Sequence, residues 1–265
     1  MITLYNLILT QEEIDNLGVG FSKKEIQLHK GISGLKYYLV IMYLRLHLMP
    51  VNILPTTLSK IITRCGYSAS TRRAATYEDW RNIISKLIVN GYVECSHDIL
   101  TIKPTEEFVL TFSHKKNPFY TKDSFVFITK KEFDAITSYN TNMNKSAIIG
   151  VFLYIKQFII ETDYSAGLSY PSKQQIARGV GISSVTTIEK AIDILAELKL
   201  LYINSGFYIE DNTNNGVYVP ASNVYSIRPV SVAECITELE SKYGKPVYTK
   251  DTVPGIIKFL DKKGE

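Results

Sequence analysis

Tyr170-Pro171-Ser172-Lys173-Gln174-Gln175-Ile176-Ala177-Arg178-Gly179-Val180-Gly181-Ile182-Ser183, with the run that follows to Leu198, decides how the chain is read. Pro171 suits the position before a helix, and Ser172 can accept from the free amides of a first turn, so a short helix is expected to begin here. Gly179 and Gly181 are expected to stop it, Ile182 to fill the angle between two helices, and Ser183 to cap the second. Val185, Ile188, Ala191, Ile192 and Leu195 then recur at three- and four-residue steps, which marks one buried helical face. The opposite face carries Ser184, Thr186, Thr187 and Lys190, short polar groups with one cation near the helix start. That is where a recognition helix meets base edges and phosphates.

Leu200-Leu201-Tyr202-Ile203 and Phe207-Tyr208-Ile209 follow, then the polar loop Asp211-Asn212-Thr213-Asn214-Asn215-Gly216, then Asn223-Val224-Tyr225-Ser226-Ile227. β-rich segments around a polar loop after a helix-turn-helix predict a winged helix. Asn212, Asn214 and Asn215 make that loop polar but uncharged, and it reads as a flexible loop rather than a groove reader. Pro171-Ser172, Ile176-Ala177, Gly181-Ile182-Ser183, Leu195 to Leu201 and Asn223-Val224-Tyr225 together resemble the winged-helix domains of replication initiators of plasmids and phages of low-GC Gram-positive bacteria, the RepA-N and DnaD-like types. The resemblance covers about a third of the chain. It implies a DNA-binding winged helix and a role at a replication origin, with a helicase loader or other replication proteins as partners.

The preceding half echoes the same order. Phe21-Ser22-Lys23-Lys24-Glu25-Ile26 is matched by Ile128-Thr129-Lys130-Lys131-Glu132-Phe133, and both are capping boxes that open a helix. Each precedes a long apolar helix, Leu35 to Met49 and Lys145 to Glu161. Pro55 to Ser68 then stands where the second half has Pro171 to Ser183, with Cys65-Gly66-Tyr67-Ser68 matching Val180-Gly181-Ile182-Ser183. The first recognition helix is expected over Thr76 to Asn90, with Trp80, Ile83, Ile84, Leu87 and Ile88 as its core stripe. A hairpin of Tyr92 to Cys95 with Leu100-Thr101-Ile102 is expected to close the copy.

The fold class that follows is mainly α within α+β: two tandem winged helix-turn-helix domains with small β-hairpin wings and a C-terminal helical tail. Residues 1–113 form the first domain, 114–229 the second and 230–265 the tail, whose helices are expected over Val232 to Tyr243 and Pro254 to Asp261. At 265 residues with 45% hydrophobic content, two packed cores are affordable in length and composition. Cys65, Cys95 and Cys235 lie far apart with no CxxC, which suits a reducing cytoplasm and neither a disulfide framework nor a zinc site. Met1 to Thr10 lacks a basic leader and reads as a strand, and the apolar runs Tyr37 to Leu44 and Ala147 to Ile155 are too short for a membrane span.

The net charge of +4 is modest, but its placement is not. No acidic residue falls between Glu25 and Glu78, while Lys30, Lys36, Arg45, Lys60, Arg64, Arg72 and Arg73 do. A second acid-free interval, Asp163 to Glu189, holds Lys173 and Arg178. Double-stranded DNA is therefore the expected partner, met through Lys60, Arg64, Thr71, Arg72, Arg73, Arg81, Asn82 and Lys86 in the first copy. In the second copy the expected contacts are Lys173, Arg178, Ser183, Ser184, Thr186, Thr187 and Lys190. No Arg, Asn or Gln opens the second recognition helix for a bidentate base contact, so its specificity is expected to be modest.

Catalysis finds no footing in the sequence. There is no Walker A loop, no HExxH, and no pair of histidines one residue apart beside a nicking tyrosine; Cys95-Ser96-His97 alone supplies too few metal ligands. No cofactor is expected, and the chain can act as a monomer on adjoining half-sites or as a homodimer. A transcriptional regulator of a mobile element and a winged-helix protein-interaction module are the two alternatives.

Overall fold

The computed structural model describes residues 18–22, 53–69, 74–89, 91, 93–112, 125–159, 161–162 and 165–257. The fold is α+β, with seven helices and several small sheets among those residues. It divides into two compact units, Met1–Leu153 with Val180–Ile182, and Tyr154–Gly179 with Ser183–Glu265. None of the helices among the described residues is long and apolar enough to cross a membrane.

In the first unit, β1 (Gly18–Ser22) pairs antiparallel with a strand more than a hundred residues later. Gly18 faces Thr129, Gly20 faces Phe127 and Ser22 faces Phe125. The paired segments are the ones that lead into the two echoed capping boxes. Because Ser22 corresponds to Thr129 in the repeat, the register is symmetric about Gly20 and Phe127. This pairing joins residues on either side of the expected boundary at 113/114, which thus lies inside a compact unit.

Next come β2 (Ile53–Thr56), α1 (Leu58–Arg64), α2 (Ala74–Val89), β3 (Val93–Cys95) and β4 (Phe108–Phe112), the strands forming an antiparallel sheet in the order β2-β4-β3. Pro55, expected to precede a helix directly, sits in edge strand β2, where its missing N–H leaves no ladder bond unmade. Helix α1 starts one step later, at Thr57, whose hydroxyl accepts from the Lys60 amide at 3.1 Å. Leu58, Ile61, Ile62, Trp80, Ile84, Leu87, Phe108 and Leu110 close the core; Ile83 and Ile88 are only half-buried.

The expected hairpin partner was wrong. Val93 and Cys95 pair with Phe112 and Leu110, and residues 100–102 lie in the connecting loop. The Asp98 carboxylate accepts from the Leu100 amide at 3.0 Å, which turns the chain there, and Ile99 and Ile102 are buried beneath the turn.

The first unit continues with β5 (Phe125–Thr129), α3 (Lys130–Ser138) and α4 (Lys145–Lys156). The second capping box forms: the Thr129 hydroxyl accepts from the Glu132 amide at 3.2 Å, and the Glu132 carboxylate accepts from the Thr129 amide at 2.7 Å. Residues 23–26 of the first box, Met1 to Thr10, and the helix expected over Leu35 to Met49 lie outside the described residues.

The second unit holds β6 (Glu161–Thr162), β7 (Ser165–Ala166), α5 (Lys173–Val180), α6 (Val185–Glu197), β8 (Tyr202–Asn204), β9 (Phe207–Glu210), β10 (Val217–Pro220) and β11 (Val224–Ser226), then α7 (Val232–Tyr243), β12 (Val247–Thr249) and β13 (Ile256–Ile257). Ser172 and Gln175 cap α5 reciprocally, at 3.1 and 2.7 Å. Gly181, at φ +71°, turns the chain out of α5, a conformation that suits glycine.

Two expectations about this turn need correction. Gly179 does not end α5; it lies inside the helix, where a Cβ would fall within the Tyr154 ring, so its role is to seat that ring. Ser184, not Ser183, caps α6, its hydroxyl accepting from the Thr187 amide at 3.3 Å.

Beyond α6 the two strand segments fold back on each other twice, with β8 on β11 and β9 on β10. The C-terminal segment is not a detached helical tail. Helix α7 does run over Val232 to Tyr243 and brings Cys235 and Leu239 into a core with Leu168, Phe207, Val224 and Val247. Strand β12 then joins β9, and β13 lies parallel to β10, giving the sheet order β12-β9-β10-β13. Within the described part of the expected helix over Pro254 to Asp261, Ile256 and Ile257 thus form β13 instead. Gly255 permits this pairing, since a Cβ there would meet the Gly216 carbonyl.

Candidate nucleic-acid interface

Helix α6 sets the geometry. Ile188, Ala191, Ile192 and Leu195 are buried, and the opposite stripe of Thr186, Lys190, Asp193 and Glu197 is exposed. These four are spaced by four, three and four residues, so they form one row along the helix. Ser183 and Ser184 are exposed at the head of the row, whereas Thr187 is half-buried. The row is polar and cationic over its first two turns and acidic over its last two. A polyanion would be attracted at the N-terminal half and repelled at the other. Lys190 has no carboxylate partner among the described residues.

On α5, Arg178 is exposed, but Lys173 pairs with Glu189 of α6 at 2.7 Å. The pair is about two-fifths exposed on each side, so it adds little stability. Its electrostatic effect is to neutralise one of the expected cations. Gln174, in the first turn of α5, is exposed and carries a side-chain amide of the kind absent from the start of α6. Its exposure was not legible from spacing, because the face of so short a helix is settled by what packs behind it.

The loop between β9 and β10 is internally bonded rather than slack. The Asp211 carboxylate accepts from the Thr213 amide at 2.9 Å and hydroxyl at 2.8 Å, and the Glu210 carboxylate accepts from the Gly216 amide at 2.8 Å. Lys245, beyond α7, donates to the Glu210 carbonyl and to the Asn212 side chain. The Gly216 carbonyl accepts from the Ile256 amide at 3.0 Å. The exposed Asn212, Asn214 and Asn215 are therefore carried on a loop braced by the C-terminal strands.

The first copy looks different. Lys60 and Arg64 are exposed on α1, and Asn82 and Lys86 on α2. Asn82 and Lys86 share their stripe with exposed Glu78 and Val89. Arg81 is half-buried and donates to the Ile102 carbonyl at 2.6 Å, pinning the β3–β4 loop to α2. That loop exposes Asp98, Glu106 and Glu107 against one lysine, Lys103. Thr71, Arg72 and Arg73 lie outside the described residues. Ser96 and His97 hydrogen-bond to each other at 2.7 Å, and no group of three or more His, Cys, Asp and Glu side chains among the described residues converges as a metal ion requires.

No family model, curated protein or solved structure matches this chain. The cysteine chemistry adds nothing to the site on α6: burial raises Cys65 and Cys235 above the usual thiol range, which leaves them protonated.

Proposed function

We propose that this chain is a non-enzymatic, sequence-specific binder of double-stranded DNA built on two winged helices, one around α1 and α2 and one around α5 and α6, acting in the cytoplasm as a replication initiator of a plasmid or phage. It marks an origin and recruits replication proteins such as a helicase loader. The observation that carries this reading is the N-terminal half of α6: Thr186 and Lys190 exposed in one row with the exposed N-cap Ser184 at its head, on a helix reached through a turn from α5. Phosphate contacts from Lys190 and Arg178 supply affinity, and the hydroxyls of Ser183, Ser184 and Thr186 meet base edges.

Two half-sites read by one chain would match two recognition helices without a dimer. The acidic β3–β4 loop favours a second reading for the first copy, as a docking surface for protein rather than DNA, because Asp98, Glu106 and Glu107 repel phosphates.

Selection of bound sequences from a random duplex pool, followed by footprinting on the replicon, tests the proposal. Enrichment of one sequence and protection of iterated copies at an origin is the expected outcome. Protection confined to a promoter would move the chain to transcriptional regulation, and no enrichment would overturn sequence-specific binding.

A further inference from the structure

A cavity of ≈ 310 Å³ opens in the second unit, and its lining includes Tyr154, Phe158, Tyr170 and Lys242. Its walls come from the end of α4, the residues before α5, and α7. Tyr154 and Phe158 meet edge to face with ring centres 5.2 Å apart, and Leu168 and Pro171 extend the apolar surface. Phe158 is 45% exposed, an unusual degree for a large aromatic residue that faces a cavity. The Tyr154 ring is held there by Gly179, whose missing side chain leaves it room.

One cation enters this apolar space. The Lys242 ammonium lies 4.4 Å from the centre of the Tyr170 ring and 4.9 Å from that of Tyr243. It donates to the Ser222 hydroxyl at 2.9 Å, and Ser222 in turn bonds the Tyr243 hydroxyl at 2.8 Å. These contacts fix the ammonium but do not neutralise it. Glu238, one turn earlier on α7, acts electrostatically on the Tyr170 phenol, yet no carboxylate among the described residues forms an ion pair with Lys242. With Ser222 and the Tyr243 hydroxyl both engaging the ammonium, one of its three N–H donors remains for a ligand.

We propose that this cavity binds a small planar aromatic monoanion, its ring against Tyr154, Phe158 and Tyr170 and its carboxylate on Lys242. The volume suits one or two fused rings, at the lower end of small-molecule sites. A single uncompensated ammonium matches one negative charge. A doubly charged phosphate would call for a second cation, and among the described residues only Lys242 brings one to the cavity. The side-chain amide of Gln175 lines the same cavity and uses its oxygen in the α5 cap, leaving its NH2 group to donate. The site is separate from the DNA-binding reading and can be tested whether or not that reading holds.

The experiment is titration of the full chain with indole-3-carboxylate by calorimetry and ligand-detected NMR, beside the neutral indole-3-methanol, deoxyadenosine monophosphate and an eight-residue oligothymidylate. Lys242→Met, Lys242→Arg and, as a control at an exposed site, Lys250→Met are compared, with circular dichroism confirming that each folds. Saturable binding of the carboxylate is expected, weakened about ten- to hundredfold by Lys242→Met as a charge-assisted hydrogen bond is lost, and largely kept in Lys242→Arg and Lys250→Met. Absence of saturation, equal affinity in Lys242→Met, or tighter binding of the neutral analogue would overturn the proposal. Preference for the mononucleotide or the oligothymidylate would overturn it too, and would reassign the cavity to a nucleotide.

Discussion

Gly179→Ala is a small change with a sign that ordinary helix energetics gets wrong. Inside a helix, replacing glycine by alanine is worth about 1 kcal/mol of added stability. Gly179 lies within α5, so propensity alone predicts a stabilised protein. The new methyl group, however, would occupy the space of the Tyr154 ring. Overpacking costs about 1–3 kcal/mol, and expelling the ring also forfeits its edge-to-face contact with Phe158, worth about 0.5–1.5 kcal/mol. The net expectation is destabilisation of about 1–3 kcal/mol. In a Tyr154→Ala background the obstacle is gone, and Gly179→Ala should then stabilise by up to about 1 kcal/mol. Urea denaturation of the four proteins, followed by circular dichroism, closes the cycle. A coupling of about 2 kcal/mol or more is predicted from this geometry. Additive effects, or a stabilised Gly179→Ala single variant, would refute the placement of Tyr154 on α5.

Other residues give independent checks. Gly66 sits at φ +80° with the Thr137 carbonyl where a Cβ would go, so Gly66→Ala should cost about 1–3 kcal/mol; the buried Trp80, the chain's one tryptophan, reports it by fluorescence. Glu234 closes the capping box of α7, and hydrogen bonds from the Ser231 amide and hydroxyl, with Arg228 nearby, hold its carboxyl below the ordinary range. A depressed folded-state pKa means that this stabilisation is present above the unfolded value of about 4.3 and lost as pH falls through the folded one. The stability difference between the native chain and Glu234→Gln should therefore shrink as pH falls from 7 to 3; a difference independent of pH would contradict the cap. Lys245→Met releases the β9–β10 loop, and hydrogen exchange at the Gly216 and Asp211 amides should accelerate about three- to tenfold, the equivalent of about 1 kcal/mol for one hydrogen bond. Unchanged exchange would mean that the loop holds itself.

The elements legible in the sequence are those whose signals are local. The Ser172 and Thr129 caps, the positive-φ glycine at 181, the buried stripe of α6 and the span of α7 all depend on residues within a few positions of one another. What was misread depends on distant partners. Leu100-Thr101-Ile102 has strand-like composition, yet β3 pairs with Phe108–Phe112, because Asp98 bends the chain first and nothing local announces the longer loop. Arg81 looked like a phosphate contact by its helical position and instead binds the Ile102 carbonyl. Val247–Thr249 and Ile256–Ile257 became strands because β9 and β10 offered edges, which their own composition does not reveal. At the candidate interface the exposed row was half foreseen: Thr186 and Lys190 were, whereas the acidic continuation at Asp193 and Glu197 and the Lys173–Glu189 pair were not.

Binding of random duplex DNA across a salt series, measured by fluorescence anisotropy on the native chain, Lys190→Ala and Lys250→Ala, bears most directly on the proposed role of α6. Each phosphate contact contributes about 0.9 to the log-log salt slope. A steep slope that falls by about one in Lys190→Ala and stays unchanged in Lys250→Ala is the predicted result. No binding at low salt, or a slope that Lys190→Ala leaves untouched, would contradict the assignment of this face to DNA.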